Sequence, residues 1–268
     1  MTYRQARRYT RIYTYQIAKE KEESAVTRSI AQNGAAGAAS AVFESVEYQG
    51  RKASRQGSEQ RRQDILDAAM RIVVRDGVRA VRHRAVAAEA GVPLSATTYY
   101  FKDINDLLTD AFSQYVERSA AYMAKLWENT EVTLRTMVAR TDATPAARAR
   151  LADEMAVMAM EYIRRQLATR RDYLIAEHAF HYEALINPRL ARLVGVHQDI
   201  LLQGACRFLQ VLGSAQPLQD AQVLTGVMCR MEYQALLHGP QPEADAENLG
   251  ILTRQMHLVL GTPGSAGE

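Results

Sequence analysis

The chain has 268 residues, of which 47% are hydrophobic and two are cysteines, and its 33 lysines and arginines outnumber 30 aspartates and glutamates. This length and composition allow one or two globular domains and exclude a mainly disordered chain. No apolar run reaches the roughly 18 residues that a membrane-spanning helix needs. Cys206 and Cys229 are too few for a disulfide framework or a cysteine-based zinc site. We therefore expect a cytoplasmic protein with no cofactor, no metal and no membrane partner.

Charge is distributed unevenly along the chain. Residues 1–60 hold 10 basic and 6 acidic side chains, residues 61–105 hold 8 and 5, and residues 106–268 hold 15 and 19. A basic N-terminal part joined to an acidic remainder is typical of a protein whose first part meets a polyanion.

Residues 1–54 lack the pattern of a packed domain. Residues 2–15 interleave four arginines with four tyrosines, and residues 34–41 read GAAGAASA, which offers little apolar surface to bury. We predict a disordered basic extension over 1–54. The alternative is an arm that strengthens nucleic-acid binding through phosphate pairing and base stacking.

Residues 55–105 have the pattern of three short helices. The first begins at Ser58 and ends at Asp76-Gly77, and it carries one apolar stripe: Ile65, Leu66, Ala69, Ile72 and Val73. The second runs from Arg82 to Ala90 and closes at Gly91, and the third, after Pro93, covers 94–100. Short helices joined by a tight glycine turn are typical of a helix-turn-helix.

The rest of the chain is predicted to be helical throughout. Asp103 is the expected N-cap of a long helix, with Asp106 in its first turn. The helical ranges that we predict are 104–127, 130–140, 146–168, 171–186, 189–212, 219–238 and 245–260. The fold class is thus all-α, with a helix-turn-helix domain at 55–105, a helical domain at 106–262 and a tail at 263–268.

Residues 61–112 resemble the N-terminal domain of TetR/AcrR-type transcriptional regulators. The resemblance depends on four segments: RRQDILDAAMRIVVRDG (61–77), AVAAEAGVP (85–93), TTYYF (97–101) and DINDLLTDAF (103–112). It implies a DNA-binding domain followed by a helical bundle that holds a small ligand and forms a homodimer. The dimer helices implied in this sequence are those near 189–212 and 219–238.

The resemblance also implies a set of DNA contacts. Arg84 falls at a base edge, where arginine can bind guanine O6 and N7, and His83 falls near phosphate. Recognition-helix positions for base or phosphate contact are Leu94, Ser95, Ala96, Thr98, Tyr99 and Tyr100, and Lys102 can replace the lysine that the family often has where this chain has Ile104. Thr97 stands where the family usually has an inward leucine, so its hydroxyl needs a backbone acceptor if it is buried. Arg61, Arg62, Arg79 and Arg82 are either solvated charges or phosphate neighbours.

A ligand pocket is predicted in the helical domain. Methionine and aromatic residues are concentrated there and suit a lipophilic effector, and the candidate lining residues are Tyr122, Met123, Trp127, Met155, Met158 and Tyr162. Glu177 and His181 share a helix face, His178 and His181 nearly do, and the three side chains could orient a ligand. Their spacing suits a metal, but no third ligand lies at a fixed spacing.

These observations predict a ligand-responsive repressor that a small effector releases from a palindromic DNA operator. Two alternatives stay open. One is a small helical enzyme that uses Glu177, His178 and His181 as acid, base or metal ligands. The other is a DNA-binding dimer that responds to no effector.

Overall fold

The computed structural model describes residues 48–51 and 56–261 of the chain. Within these two stretches the chain forms nine α-helices, one short 3-10 turn at Val78–Ala80, and no strand. The helices are α1 (Gln56–Asp76), α2 (His83–Ala90), α3 (Leu94–Tyr100), α4 (Ile104–Arg140), α5 (Pro145–Thr169), α6 (Arg171–Ala184), α7 (Pro188–Leu212), α8 (Pro217–His238) and α9 (Pro242–Val259). The predicted all-α class is confirmed.

Local chemistry sets the ends of the short helices. Gly77 and Gly91 end α1 and α2 with φ of 83° and 65°, a region that glycine adopts without steric cost. The Asp103 carboxylate caps α4 by accepting a hydrogen bond from Asn105 N at 2.9 Å. Thr97 is fully buried, and its hydroxyl donates to Leu94 O at 2.9 Å, which is the backbone acceptor that the sequence requires.

Helix α4 is longer than predicted. The sequence pattern predicts two helices with a break after residue 127, but one helix continues through this point to Arg140. The stretch contains no proline or glycine, and the hydroxyl of Thr130 donates to Leu126 O at 2.7 Å within the helix. At 1.5 Å per residue the helix is about 55 Å long.

Two apolar cores lie one after the other along α4. The first contains α1, α2, the N-terminal half of α4, α6 and the start of α7, with Phe112 stacked on Phe180 at 4.3 Å between ring centroids. The second contains the C-terminal half of α4, α5, the end of α7, α8 and α9. The helix-turn-helix therefore shares its core with helices beyond residue 106. None of the described helices combines the length and apolar character that crossing a bilayer requires.

Residues 48–51 form a strap on the folded domain, contrary to the predicted disorder of this stretch. Gln49 N and Gly50 N donate to the two carboxylate oxygens of Asp110 at 2.6 and 2.9 Å. A Cβ on Gly50 would lie 2.5 Å from Phe101 Cε1, so the strap requires glycine at this position. The predictions for 1–47, 52–54 and the tail 263–268 lie outside the described residues.

Arg62 also differs from expectation, since it is neither solvated nor a phosphate neighbour. Its guanidinium is buried and binds Asp110 Oδ2 at 2.7 Å. Burial raises the pKa of Asp110, while the hydrogen bonds from Gln49, Gly50 and Arg62 oppose that rise. One buried carboxylate therefore joins the strap, α1 and α4.

Replacing Asp110 by alanine should lower the free energy of unfolding by about 3–5 kcal/mol, because the buried Arg62 then keeps only its longer ion pair to Glu59, at 3.4 Å. Asp106→Ala is the matched control, one turn earlier on α4. It removes only the ion pair to the exposed Arg189, at a cost below about 1 kcal/mol. Urea unfolding measures both values, and equal losses would contradict the central role of Asp110.

Candidate functional site

Most of the predicted DNA contacts are exposed, and they lie on α2, on α3 or just after α3. Arg84, Ser95, Thr98 and Lys102 are exposed, and Ala96 is half-buried. Leu94 and Tyr99, which have large apolar side chains, are 44% and 53% exposed although apolar burial is favourable. We name the six exposed side chains the α2–α3 surface: Arg84, Leu94, Ser95, Thr98, Tyr99 and Lys102.

His83 is less accessible than Arg84. Its side chain is half-buried, and it lies close enough to Asp103 for its charge to help lower the pKa of that carboxyl. The main cause of that lowering is the hydrogen bond from the backbone N–H of Asn105.

Tyr100 corrects one expectation. It is 5% exposed, and its hydroxyl lies 2.7 Å from Ser58 Oγ, so the ring packs in the first core and faces away from a ligand outside. Successive helix positions point about 100° apart, and Tyr99 accordingly takes the exposed direction. Ser58 bonds this ring from within the first turn of α1.

Arg51 adds a cation that the sequence assigned only to a tail. Its guanidinium lies over the Tyr99 ring, 4.5 Å from the ring centroid, and its backbone N–H donates to Tyr100 O at 2.9 Å. Arg51 is exposed and therefore extends the basic character of the α2–α3 surface. The sequence feature that could have indicated this contact is Gly50 next to Arg51, shortly before α1.

The predicted ligand residues separate into two groups. Tyr122, Met123 and Tyr162 meet in a polar network, in which Tyr122 donates to Gln166 Oε1 at 2.9 Å and Gln166 donates to the Tyr162 hydroxyl at 3.1 Å. Tyr162 also lies 3.9 Å from Met123 Sδ. Trp127, Met155 and Met158 pack in or against the second core instead.

A histidine–carboxylate cluster forms between α6 and α7. It consists of Glu177, His181 and His197, whose donor atoms lie within 4.8 Å of one another. The sequence grouped Glu177 and His181 with His178. His178 instead packs against Tyr233, 5.0 Å between ring centroids, and His197 of the next helix takes the third place.

Burial governs the protonation of these groups. It raises the pKa of Glu177 to about 7 and lowers the pKa values of His181 and His197 to about 4 and about 3. On α8, burial and the nearby Glu177 carboxylate raise the pKa of Glu232 to about 8. The interior therefore holds neutral imidazoles beside carboxyl groups that release their protons only near or above neutral pH.

A hollow of about 270 Å³ lies where α1, α4 and α6 meet. Tyr115 and Tyr173 line it together with Met70, Arg118 and other side chains. None of the nine predicted ligand residues does. The predicted pocket residues instead contact neighbouring side chains, for example Tyr122 with Gln166 and His178 with Tyr233.

Comparison with known proteins connects this geometry to a family. Residues 65–111, which span most of α1 through the start of α4, match the family model described as bacterial regulatory proteins, tetR family. No protein of curated function gives a significant match.

Three solved structures share the arrangement. A TetR-family member from Streptomyces coelicolor A3 is 28% identical, with 73% of this chain and 98% of that chain covered and a TM-score of 0.51. The multidrug binding protein EbrR complexed with ethidium gives the same identity, coverage and TM-score. A transcriptional regulator from Rhodococcus sp. Rha1 is 17% identical, covers 75% of this chain and 96% of its own at a TM-score of 0.51, and shows the fold alone.

Replacing Glu232 by glutamine should make stability less sensitive to alkaline pH. The pKa of Glu232 is about 8 in the folded chain against an ordinary value of 4.5. Between these values the folded state holds a proton that the unfolded state has lost, so stability falls as pH rises. Relative to wild type, Glu232→Gln should therefore gain free energy of unfolding from about pH 5 to about pH 8.

Chemical denaturation at a series of pH values measures this difference. Glu243→Gln, at an exposed position of α9, is the control and should show no comparable gain. A Glu232→Gln difference that stays constant with pH would contradict the raised pKa.

Proposed function

The chain belongs to the TetR family of DNA-binding transcriptional regulators, and we propose that it is a repressor that a small effector releases from a palindromic operator. The observation that carries the proposal is the α2–α3 surface, which leaves Arg84, Tyr99 and Lys102 accessible on two short helices of the matched domain. Regulators of this family are in general not enzymes, which favours a DNA-binding role over the catalytic alternative.

The side chains divide by the DNA group that each can bind. Arg84 is assigned to a guanine edge in the major groove, where its planar fork fits O6 and N7. Lys102 and Arg51 are assigned to phosphates, which position the protein without reading sequence. Leu94 and Ala96 suit thymine methyl groups. The hydroxyl side chains suit base or phosphate oxygens: Ser95, Thr98 and Tyr99. The half-buried His83 is assigned to a phosphate. Tyr100 is left out because its ring is buried.

Dimerisation through α7 and α8 would supply the second half-site contact. Val223 and Leu237 on α8 are 55% and 57% exposed, which leaves an apolar face available for a second copy of the helix. Two recognition helices held about 34 Å apart match one turn of DNA and a palindromic operator.

The effector is proposed to be a lipophilic aromatic cation. EbrR, at 28% identity, is a multidrug binding protein complexed with ethidium. In this chain, burial and then the charge of Glu232 raise the pKa of Tyr162, so the Glu232 carboxyl group lies within electrostatic reach of the Tyr162 hydroxyl. An aromatic ring beside a largely buried carboxyl group suits a flat cation. Tyr122, Met123, His178 and Tyr233 complete this proposed site, and methionine adapts to varied ligands.

Helix α4 is proposed to link the effector to DNA. Its N-terminal part packs in the first core with α1 and α2, and Tyr122 lies further along the same helix. A ligand that opens the packed network around Tyr122 favours a state with altered spacing between the two recognition helices. Operator occupancy then falls according to the effector's preference for that state.

Arg84→Ala should weaken operator binding by about 1–3 kcal/mol and relax base preference at one position of each half-site. The operator comes from selection on random DNA with the full chain, and two copies of the chain should bind each selected palindrome. Arg140→Ala removes the same charge at the far end of α4 and should leave affinity unchanged. Selection that returns no preferred sequence would contradict the proposal.

Arg51 is tested by salt dependence in the same assay. Each lost phosphate contact reduces the slope of log affinity against log salt by about 0.9, so Arg51→Ala should show this reduction. Gly50→Ala should show it as well, because the added Cβ displaces the strap from Phe101. If neither variant changes the slope, Arg51 is not a DNA contact.

At about pH 9, where Glu232 is ionised, ethidium should bind the protein without DNA, and Glu232→Gln should weaken that binding at least about tenfold through loss of the carboxylate charge. Because the dye also intercalates into DNA, operator release is judged as the difference between wild type and Glu232→Gln at the same dye concentration. Glu243→Gln should behave like wild type in both assays. Equal dye affinity for all three proteins would overturn the cationic effector.

A further inference from the structure

Three donor atoms face one another inside the bundle without bonding directly. Glu177 Oε1 lies 4.0 Å from His181 Nε2 and 3.9 Å from His197 Nδ1. These distances exceed those of hydrogen bonds. Within the described residues, neither nitrogen has a hydrogen-bond partner, although both are buried.

Unpartnered polar atoms in such a place point to an occupant. His197 is 1% exposed, and leaving a buried polar atom unsatisfied costs about 1–3 kcal/mol. A neutral imidazole has one ring nitrogen whose lone pair is free to bind. Each ring then offers one lone pair, and the Glu177 carboxylate offers a third. One water molecule has only two hydrogens and therefore cannot donate a hydrogen bond to all three atoms.

Neighbouring groups hold two of the three donors in place. Ser119 Oγ lies 2.9 Å from His197 Nε2, which leaves Nδ1 as the nitrogen that faces Glu177. The hydroxyl of Tyr115 donates to Glu177 Oε2 at 3.2 Å and leaves Oε1 facing the imidazoles. Hydrogen bonds to the far side of the ligands are a regular feature of metal centres, where they fix the tautomer and orientation of each ligand.

We propose that Glu177, His181 and His197 form a binding site for one divalent transition-metal ion of the zinc class, with a further coordination position open to water or a ligand. Two imidazoles and a carboxylate are a ligand set that zinc accepts. Tetrahedral zinc sites place donor atoms about 3.3–3.4 Å apart. The two gaps to Glu177 Oε1 must therefore close by about 0.6 Å, and the gap between the two imidazole nitrogens, which is within 4.8 Å, by up to about 1.4 Å. The site does not depend on the proposed effector.

Metal binding is tested on the full chain without a histidine tag, after treatment with a chelator. Zn²⁺ should bind with one ion per chain in a competition assay with a coloured chelator, and Co²⁺ should produce visible d–d absorption that Zn²⁺ abolishes. His181→Ala and Glu177→Gln should each lower the Zn²⁺ affinity at least about tenfold.

Two controls separate this site from its neighbours. His178→Ala, three residues from His181, should retain the Zn²⁺ affinity because His178 packs on Tyr233 instead. Cys229→Ser should also retain it, although the thiol lies near enough for the Glu177 carboxylate to contribute to its raised pKa. Circular dichroism verifies that each variant is folded. Absence of stoichiometric binding, or an equal loss in His178→Ala and His181→Ala, would overturn the proposal.

Discussion

A single buried carboxylate holds together the part of the molecule that is proposed to meet DNA. Asp110 on α4 receives the Arg62 guanidinium from α1 and the backbone N–H groups of Gln49 and Gly50 from the strap. Burying a carboxylate is costly unless its oxygens are paired, so these contacts depend on one another. The position of Arg51 over Tyr99, and hence the outer edge of the α2–α3 surface, follows from this pairing.

The shared first core means that the proposed DNA-binding and effector-binding regions are not mechanically separate. Phe112 of α4 stacks on Phe180 of α6, only three residues after Glu177 on the same helix. Close-packed side chains transmit displacement because the interior has few voids into which they can relax. Helix α6 therefore packs in the same core as α1 and α2, and the proposed effector response would act through this contact.

Sequence patterns predicted what local chemistry determines and missed what tertiary packing determines. The glycine at position 91, the cap at Asp103 and the buried hydroxyl of Thr97 were predictable because each depends on residues within one turn. Arg62 and Tyr100 were misplaced, since their partners Asp110 and Ser58 are 48 and 42 residues away along the chain. For the same reason His197 could not be grouped with Glu177 until the packing of α7 against α6 was known.

Trp127 gives the second core a built-in optical label. It is the only tryptophan in the sequence, it is 9% exposed, and the Arg207 guanidinium lies 4.7 Å from its ring centroid. Tryptophan emission therefore reports on the end of α4 that is remote from Asp110, whereas tyrosines such as Tyr115 belong to the first core. Exciting tryptophan alone thus follows the second core in an unmodified sample, because the first core has no tryptophan.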